Sequence, residues 1–266
     1  MDKLSQPPYV EILDLRKEFR GPGGITVALD RVNLSIARNS FTSIVGTSGC
    51  GKTTLLKTIA GLTHPTSGAI YIDGRAISSP PFQIIYVFQH YTKSLFPWKT
   101  VMENVSFGLE NRSRLDRRSI REICAEYISL VGLTGFEKHY PWQLSGGMQQ
   151  RVAVARALVC QPEALLMDEP FNSVDALTRS SLQDLLLRIW DELKLTVIFV
   201  THDVEEATYL SDRVVVLSQA PATVADELEI KLSRPRHQIG PREDQRFLEY
   251  RRYIYDKISA MEGSRG

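Results

Sequence analysis

A glycine-rich loop with one basic and one hydroxyl residue interrupts the apolar patterning near the start of the chain. The segment GTSGCGKT follows the apolar run FTSIV and precedes a helical pattern. Glycines let backbone N–H groups converge on phosphate oxygens, and a helix N-terminus attracts negative charge. Lys52 can then meet the β- and γ-phosphates and Thr53 can reach Mg²⁺, whereas the alternative is a turn with a solvated lysine. The sequence predicts a nucleotide site formed by Gly46, Thr47, Ser48, Gly49, Cys50, Gly51, Lys52, Thr53 and Thr54.

Two acidic residues, Asp168 and Glu169, end the apolar run ALLMDE. Ligands of open parallel sheets bind at the carboxyl ends of strands, so we expect both side chains beside the phosphate loop. Asp168 would hold Mg²⁺, directly or through water, and Glu169 would polarise a water for in-line attack on the γ-phosphate. The alternative is that both acids only begin a surface loop. The phosphate loop upstream in the chain favours the catalytic interpretation of the pair.

A third motif, LSGGMQQR, runs from Leu144 to Arg151 and matches a family signature through Gln149. With it, the chain resembles the ATPase subunits of ABC transporters over nearly its whole length. The resemblance implies ATP and Mg²⁺ as ligands. It also implies an adenine-stacking aromatic at Phe19, a magnesium- and water-sensing Gln89, a signature site of Ser145, Gly146, Gly147 and Gln149, a partner-contacting loop with Asp175, and a γ-phosphate contact at His202.

Each of these residues also has a purely structural alternative. Phe19 could belong to the core, and Gln89 could cap a strand end. His202 could be a hydrogen-bonded core residue, and SGG could be a loop before a helix. These residues follow one another along the chain in the same order as in the family, which favours the functional interpretation. Glu169, His202 and Gln89 would then be catalytic residues, and Thr53, Gln89 and Asp168 would lie at the metal.

The signature motif implies a second copy of the chain. Ser145, Gly146 and Gly147 stand just before a predicted helix, where a hydroxyl, backbone N–H groups and the helix dipole can hold an anion. The resemblance implies that this site meets ATP bound by the other copy, so that two chains pair head to tail around a twofold axis. ATP would close this dimer and hydrolysis would open it.

Two positions depart from the family's usual pattern. The partner-contacting loop reads NSVD, from Asn172 to Asp175, where small–Ala–Leu–Asp is usual. Asp175 is kept, so the change concerns only the fine coupling of this loop to the partner. His90 stands where related importers often carry an acid, with no effect that we can predict.

The segment from Thr92 to Glu110 follows Gln89 and brings Leu95, Phe96, Pro97 and Trp98 together. One interpretation is buried core of a helical lobe. The other is an apolar docking patch for a short helix of a membrane subunit, as the family uses this region. The position of Gln89 at one end favours docking, because movement there can pass to the partner.

The three cysteines are widely spaced and form no CxxC pair, which disfavours a disulfide framework or a zinc site and fits a reducing cytosol. Cys50 lies inside the phosphate loop, where the helix dipole and Lys52 should lower its thiol pKa and make it reactive. The alternative is a packing residue that points away from solvent. Cys124 and Cys160 lie in apolar helical stretches and should be buried and inert.

The elements that must position these residues alternate between strands and helices. This order predicts an α/β fold of the P-loop NTPase class, with a mainly parallel core sheet, an N-terminal antiparallel β subdomain and an inserted helical lobe at about residues 91–158. We assign residues 1–235 to the ATPase domain. Residues 236–266 form a short tail with one amphipathic helix, marked by Phe247, Tyr250, Ile254 and Ile258.

The 266 residues carry a net charge of +1 and are 43% hydrophobic, which suits a globular protein and gives no reason to expect nucleic acid as a partner. No signal peptide and no membrane span are predicted. The resemblance therefore implies a peripheral protein at the cytoplasmic face of the inner membrane. Its partners would be integral membrane permease subunits and, indirectly, a periplasmic or surface solute-binding protein.

The combination of SLFPW, DEPFNSVDALTR and THDVEEA looks most like importers of the nitrate, sulfonate and taurine group. Three rivals remain: the ATPase subunit of an exporter, a soluble ABC ATPase, and a non-catalytic nucleotide-binding module. The soluble class carries two ATPase halves or a long coiled coil, and the chain has neither. A non-catalytic module would lack Glu169 or His202, and both are present.

Overall fold

The computed structural model describes residues 7–89, 94–110, 115–172 and 174–263. The chain divides into two compact units. The first contains the described residues up to Pro81 and from Lys194 onward, and the second extends from Phe82 to Leu193. The predicted domain limits, with a lobe at about 91–158 and a tail from 236, stay a prediction.

Strands and helices alternate along most of the chain. The strands are β1 (Val10–Gly21), β2 (Gly24–Ile36), β3 (Phe41–Val45), β4 (Ser67–Ile72), β5 (Arg75–Ala76), β6 (Ile84–Val87), β7 (Ala164–Asp168), β8 (Thr196–Val200), β9 (Arg213–Leu217) and β10 (Val224–Glu229). The helices are α1 (Lys52–Ile59), α2 (Val101–Glu110), α3 (Arg117–Leu130), α4 (Gly146–Leu158), α5 (Ala176–Leu193), α6 (Val204–Leu210), α7 (Gly240–Glu243) and α8 (Gln245–Gly263).

The first unit contains two groups of strands. An antiparallel sheet has the order β2-β1-β4-β5, and in the second half of β2 buried residues alternate with exposed ones, as in a sheet with one solvated face. In the other group β3 pairs in parallel with β8 and β9, and β10 runs antiparallel to β9. Every residue of β3 and β8 is buried, as expected of parallel strands covered on both faces, and apolar residues predominate in both strands.

The second unit joins two parallel strands to a group of helices. β6 pairs in register with β7, from Ile84 opposite Ala164 to Val87 opposite Met167. Between these strands in the chain lie α2, α3 and α4, which pack on one another. The predicted fold class, including the antiparallel subdomain and the mainly parallel core strands, is confirmed. No helix within the described residues is long and apolar enough to cross a membrane.

Several boundaries differ from those expected. The strand that Gln89 was expected to end or cap stops two residues earlier, at Val87. The signature helix begins at Gly146 rather than after Gly147. Helix α2 was not predicted, although Thr100 and Glu103 cap it reciprocally: Thr100 N donates to Glu103 Oε2 at 2.7 Å and Glu103 N donates to Thr100 Oγ1 at 3.3 Å. This capping box is visible in the letters TVME.

Candidate functional site

The phosphate loop connects β3 to α1 and curls around the Lys52 side chain. Lys52 Nζ donates to the carbonyl oxygens of Gly46 and Thr47, each at 2.9 Å, and only 6% of the residue is exposed. Gly51 has φ +115°, and an added Cβ would lie 3.0 Å from the carbonyl oxygen of Ala28, so both its conformation and its close packing require glycine. The alternative of a solvated lysine is therefore wrong.

The prediction of a reactive Cys50 is also wrong. The residue is 1% exposed, and its Sγ packs so closely on Gly46 that an added Cβ there would lie 2.9 Å away. Burial raises the pKa of the Cys50 thiol, and the charge of Lys52 offsets this only in part. Because the side chain points into the protein, helix dipole and lysine cannot make it an accessible thiolate.

The other two cysteines differ from each other. Cys124 is fully buried, as predicted, and burial raises its thiol pKa to about 11. Cys160 is only half-buried, contrary to prediction, because it lines an open cavity of about 390 Å³ with Phe96 and Arg156. Its thiol donates to the carbonyl oxygen of Gly108 at 3.5 Å.

Phe19 and His202 lie in the first unit, as the phosphate loop does, and both are exposed. Phe19 lies on β1 opposite Thr26 of β2, is 46% exposed, and has the Lys17 ammonium 5.0 Å from its ring centroid. It is not a core residue, and its ring is available for stacking. His202 follows β8 and is exposed on the loop before α6, so it is not a core histidine.

The loop that carries His202 is fixed on both sides. The buried Thr201 donates through Oγ1 to Glu206 Oε2 at 2.8 Å, and accepts from the backbone N–H of Asp203 at 3.0 Å. Asp203 in turn caps α6, because its Oδ1 accepts from the N–H groups of Glu205 and Glu206. Two anchored neighbours thus hold an exposed imidazole.

In the second unit, Asp168 and Glu169 have different surroundings. Asp168, the last residue of β7, is 4% exposed and accepts a hydrogen bond of 2.9 Å from the Tyr86 hydroxyl. Burial, with the nearby carboxylate, raises the pKa of Tyr86, so the phenol stays a donor. Glu169 adopts φ +43° and its Oε2 accepts from Gln89 Nε2 at 3.2 Å.

The structure brings together Gln89 and Glu169, as their expected shared role requires, and adds two residues that the sequence did not indicate. Asn172 Nδ2 also donates to Glu169 Oε2, and Tyr86 binds Asp168. Asp168 does not merely begin a surface loop, because it is buried. The one feature of the sequence that could have indicated Asn172 is the spacing of an amide three residues after Glu169.

The chemistry of the donors fits Mg²⁺. Asp168 in the second unit and Thr53 in the first each offer oxygen, the ligand type that Mg²⁺ prefers, together with substrate phosphates and waters. Among the described residues, no group of three or more His, Cys, Asp or Glu side chains is arranged to hold a metal. A dedicated all-protein cage is not the usual way to bind this ion.

The signature residues form the first turn of α4. Ser145 is its N-cap, with Oγ accepting from the N–H of Met148 at 3.3 Å. Ser145 and Gly146 are exposed, whereas Gly147 is buried, and an added Cβ on Gly147 would lie 2.3 Å from Cγ2 of Thr178. Gln149 Nε2 donates to the carbonyl oxygens of Pro141 and Leu144, at 2.9 and 3.1 Å, and so fixes the approach to this turn.

Asp175 directly precedes α5, at the end of the loop for which the resemblance implies contact with a partner. Its Oδ1 accepts from the N–H of Thr178 at 3.0 Å, and the Thr178 hydroxyl and N–H bonds lower the pKa of this carboxyl. The carboxylate is therefore held at the start of α5. The neighbouring Ser173 lies outside the described residues, as do His90, Thr92 and Lys93, so the expectations that concern them stay predictions.

The segment after Gln89 is part core and part surface. Leu95 is 3% exposed, whereas Trp98 is 69% exposed, so the core interpretation holds for the first and is wrong for the second. The rings of Phe96 and Trp98 lie 5.6 Å apart, and those of Phe96 and Phe107 lie 4.7 Å apart. We call Phe96, Trp98 and Phe107 the aromatic patch.

Comparisons with known proteins agree with these motifs. Residues 29–172, more than half of the chain, match the family model described as ABC transporter. The nitrate import ATP-binding protein NrtD of Synechococcus elongatus is 43% identical over 90% of this chain and 91% of its own. The aliphatic sulfonates import ATP-binding protein SsuB of Bacillus cereus is 45% identical over 85% and 88%.

Among solved structures, an ATP-binding cassette determined as a dimer in a post-hydrolysis state bound to ADP and Pi is similar. It has a TM-score of 0.74 and 33% identity, and the match covers 84% of this chain and all of the other. The resemblance expected from the phosphate loop and the signature is confirmed. The chain belongs to the ABC transporter family.

Proposed function

We propose that the chain is the ATP-binding and ATP-hydrolysing subunit that powers import of a small solute, in the class of nitrate, sulfonate or taurine, through ATP-driven closure of a dimer. The observation that carries the proposal is the contact between Gln89 and Glu169 immediately after the buried Asp168. A carboxylate held by an amide, in a chain that also has a phosphate loop, is the arrangement that water activation needs.

The residues divide the chemical work among them. The loop N–H groups and Lys52 bind the phosphates, and Lys52 exchanges its two carbonyl partners for phosphate oxygens. Glu169 accepts a proton from the attacking water, which Gln89 orients, and His202 contacts the γ-phosphate. Phe19 stacks on adenine. Mg²⁺, which Thr53, Asp168 and Gln89 would hold, neutralises charge on the phosphate oxygens when it is bound.

The signature turn serves the ATP of a second copy. The exposed Ser145 and Gly146, at the N-terminus of a 13-residue helix, offer a hydroxyl and N–H groups to an anion from outside the subunit. Asp175 presents the neighbouring loop to the same partner. The dimeric state of the similar cassette supports this arrangement.

The aromatic patch is the docking surface for an integral membrane permease, which keeps the chain at the cytoplasmic face of the membrane. Its exposed Trp98 supports this role. A solute-binding protein would deliver the cargo to the permease. The printed names of the nitrate and sulfonate relatives support the solute class and the direction of import.

Hydrolysis is tested with Glu169→Gln. This variant should retain ATP binding, slow hydrolysis by about 10²-fold or more because the base is lost, and accumulate as an ATP-bound dimer in size-exclusion chromatography. Glu192→Gln, an exposed exchange on α5, is the matched control. Near-normal turnover of Glu169→Gln would exclude Glu169 as the base.

The transport role is tested by isolating the native complex. A membrane permease together with a solute-binding protein in the complex is the expected result. A permease without any solute-binding protein favours an exporter, and a ribosome as the partner contradicts the transport role.

A further inference from the structure

We propose that Gln150, on the signature helix α4, is a positioning residue that fixes the backbone just after Glu169 and so holds this carboxylate where hydrolysis needs it. The inference rests on the proposed function, because it concerns the same reaction. It adds a residue outside the sites assigned so far and gives α4 a second task within its own subunit.

The contact is short and buried. Gln150 is 1% exposed, and its Nε2 donates to the carbonyl oxygen of Pro170 at 2.6 Å. Pro170 is itself buried and directly follows Glu169. The bond joins positions 20 residues apart in the chain, so the helix holds a loop that has no regular strand or helix around it at that point.

The backbone at Glu169 needs such a hold. With φ +43°, Glu169 lies in the left-handed region that side-chain-bearing residues rarely adopt, and such conformations persist where the surroundings enforce them. The carbonyl of Pro170 is one peptide beyond this torsion. A fixed carbonyl there limits how far the Glu169 backbone can relax.

The same helix holds the other end of the segment. Gly147 lies against Thr178, which in turn hydrogen-bonds Asp175, and Arg151 Nη2 donates to Ser181 Oγ at 2.8 Å. The stretch from Glu169 to Asp175 is therefore bonded to α4 at Pro170, and the helix that follows Asp175 contacts α4 as well. Gln150 is the attachment on the catalytic side.

The two ends of the Gln150 amide differ in their hydrogen bonding. The Oε1 atom of Gln150 is buried and has no hydrogen-bond partner within the described residues. An unsatisfied buried acceptor is unfavourable, so the glutamine is a poor choice for stability alone. The donor to Pro170 is what the position requires.

The test is Gln150→Met, which keeps the length and burial of the side chain. The change leaves the Pro170 carbonyl without this donor but also removes the unsatisfied Oε1, so the melting temperature should stay close to that of the wild type. The kcat for ATP hydrolysis should fall about 10- to 100-fold through misplacement of Glu169, with KM nearly unchanged. Gln183→Met, an equally buried glutamine on α5, should retain most activity.

A double variant separates positioning from general damage. In the Glu169→Gln background, Gln150→Met should cause no further loss in single-turnover hydrolysis, because the group that it positions is already absent. An unchanged kcat, an equal loss in Gln183→Met, or a further proportional loss in the double variant would overturn the inference. If Gln150→Met does not fold, Gln150→Asn replaces it in the same assays. Its side chain is one methylene shorter, which moves the amide donor away from the Pro170 carbonyl. Near-normal hydrolysis by the single variant Glu169→Gln would refute the proposed base, independently of the result for Gln150.

Discussion

Replacement of Gly147 by alanine tests how the signature turn is packed. The added Cβ would lie 2.3 Å from Cγ2 of Thr178, whereas carbon atoms in contact lie about 3.5–4.0 Å apart, so one side must move by more than about 1 Å. Overpacking of this kind costs about 1–3 kcal/mol, and the better helix propensity of alanine returns at most about 1 kcal/mol. We expect the free energy of unfolding to fall by about 0–3 kcal/mol.

Hydrolysis should suffer more than stability. Under the proposed function this turn meets the ATP of a second copy, so a shift of about 1 Å should lower kcat by about 10²-fold. The assay is steady-state phosphate release at saturating ATP, with thermal unfolding followed in parallel. ATP binding to the separate subunit should remain close to normal, because the phosphate loop is unchanged.

Thr178→Ser supplies the rescue. It removes only the offending methyl, and the next atoms, Cβ and Oγ1 of residue 178, lie 3.7 and 3.9 Å from the added Cβ, which are ordinary contact distances. The hydroxyl that bonds Asp175 is retained. Gly147→Ala with Thr178→Ser should therefore hydrolyse ATP at a nearly normal rate, as should Thr178→Ser alone. A double variant as slow as Gly147→Ala would refute the packing argument and assign the glycine to contact with the nucleotide.

Three further predictions address other parts of the molecule. Ser145→Arg and Lys52→Ala should each abolish hydrolysis, and mixing them should restore activity because one composite site then has neither lesion; a mixture no more active than its components speaks against shared sites. A brief maleimide treatment should leave Cys50 unlabelled in the nucleotide-free protein, because the thiol is buried. Rapid labelling of Cys50 that ATP prevents would instead support the hypothesis of a reactive thiolate. Trp98→Ala should change the free energy of unfolding by less than about 1 kcal/mol while weakening permease binding, whereas Leu95→Ala should cost about 2–5 kcal/mol; unfolding of the Trp98 variant by circular dichroism would place Trp98 in the core.

Local signals in the sequence were enough for much of the fold. The letters VEEATYL indicate a helix and the letters RVVVL a strand, and the structure forms them over the same residues, Val204–Leu210 and Arg213–Leu217. Asp203 provides an N-cap, and the run RVVVL suits a buried strand. Helix α2 is absent from the sequence prediction, although the capping box of Thr100 and Glu103 that starts it is present in the sequence.

Side-chain direction and long-range contacts were beyond the sequence. The motif located Cys50 beside Lys52 along the chain, but whether the thiol faces the loop or the interior depends on its packing against Gly46. Likewise Tyr86 meets Asp168 only because two strands that are 82 residues apart pair in register. Burial then decides the pKa values, and burial is a property of the folded chain.

The carbonyl contacts of Lys52 have a consequence for ligand selection. Lys52 Nζ donates to the carbonyl oxygens of Gly46 and Thr47, and these two bonds limit the conformations that the start of the loop can adopt. A ligand must nevertheless displace both contacts. A β-phosphate can compensate for them with charge-assisted hydrogen bonds, whereas adenosine or AMP offers Lys52 no such replacement. Under the proposed function, nucleotides without a β-phosphate should therefore bind more weakly than ATP, although they carry the same base.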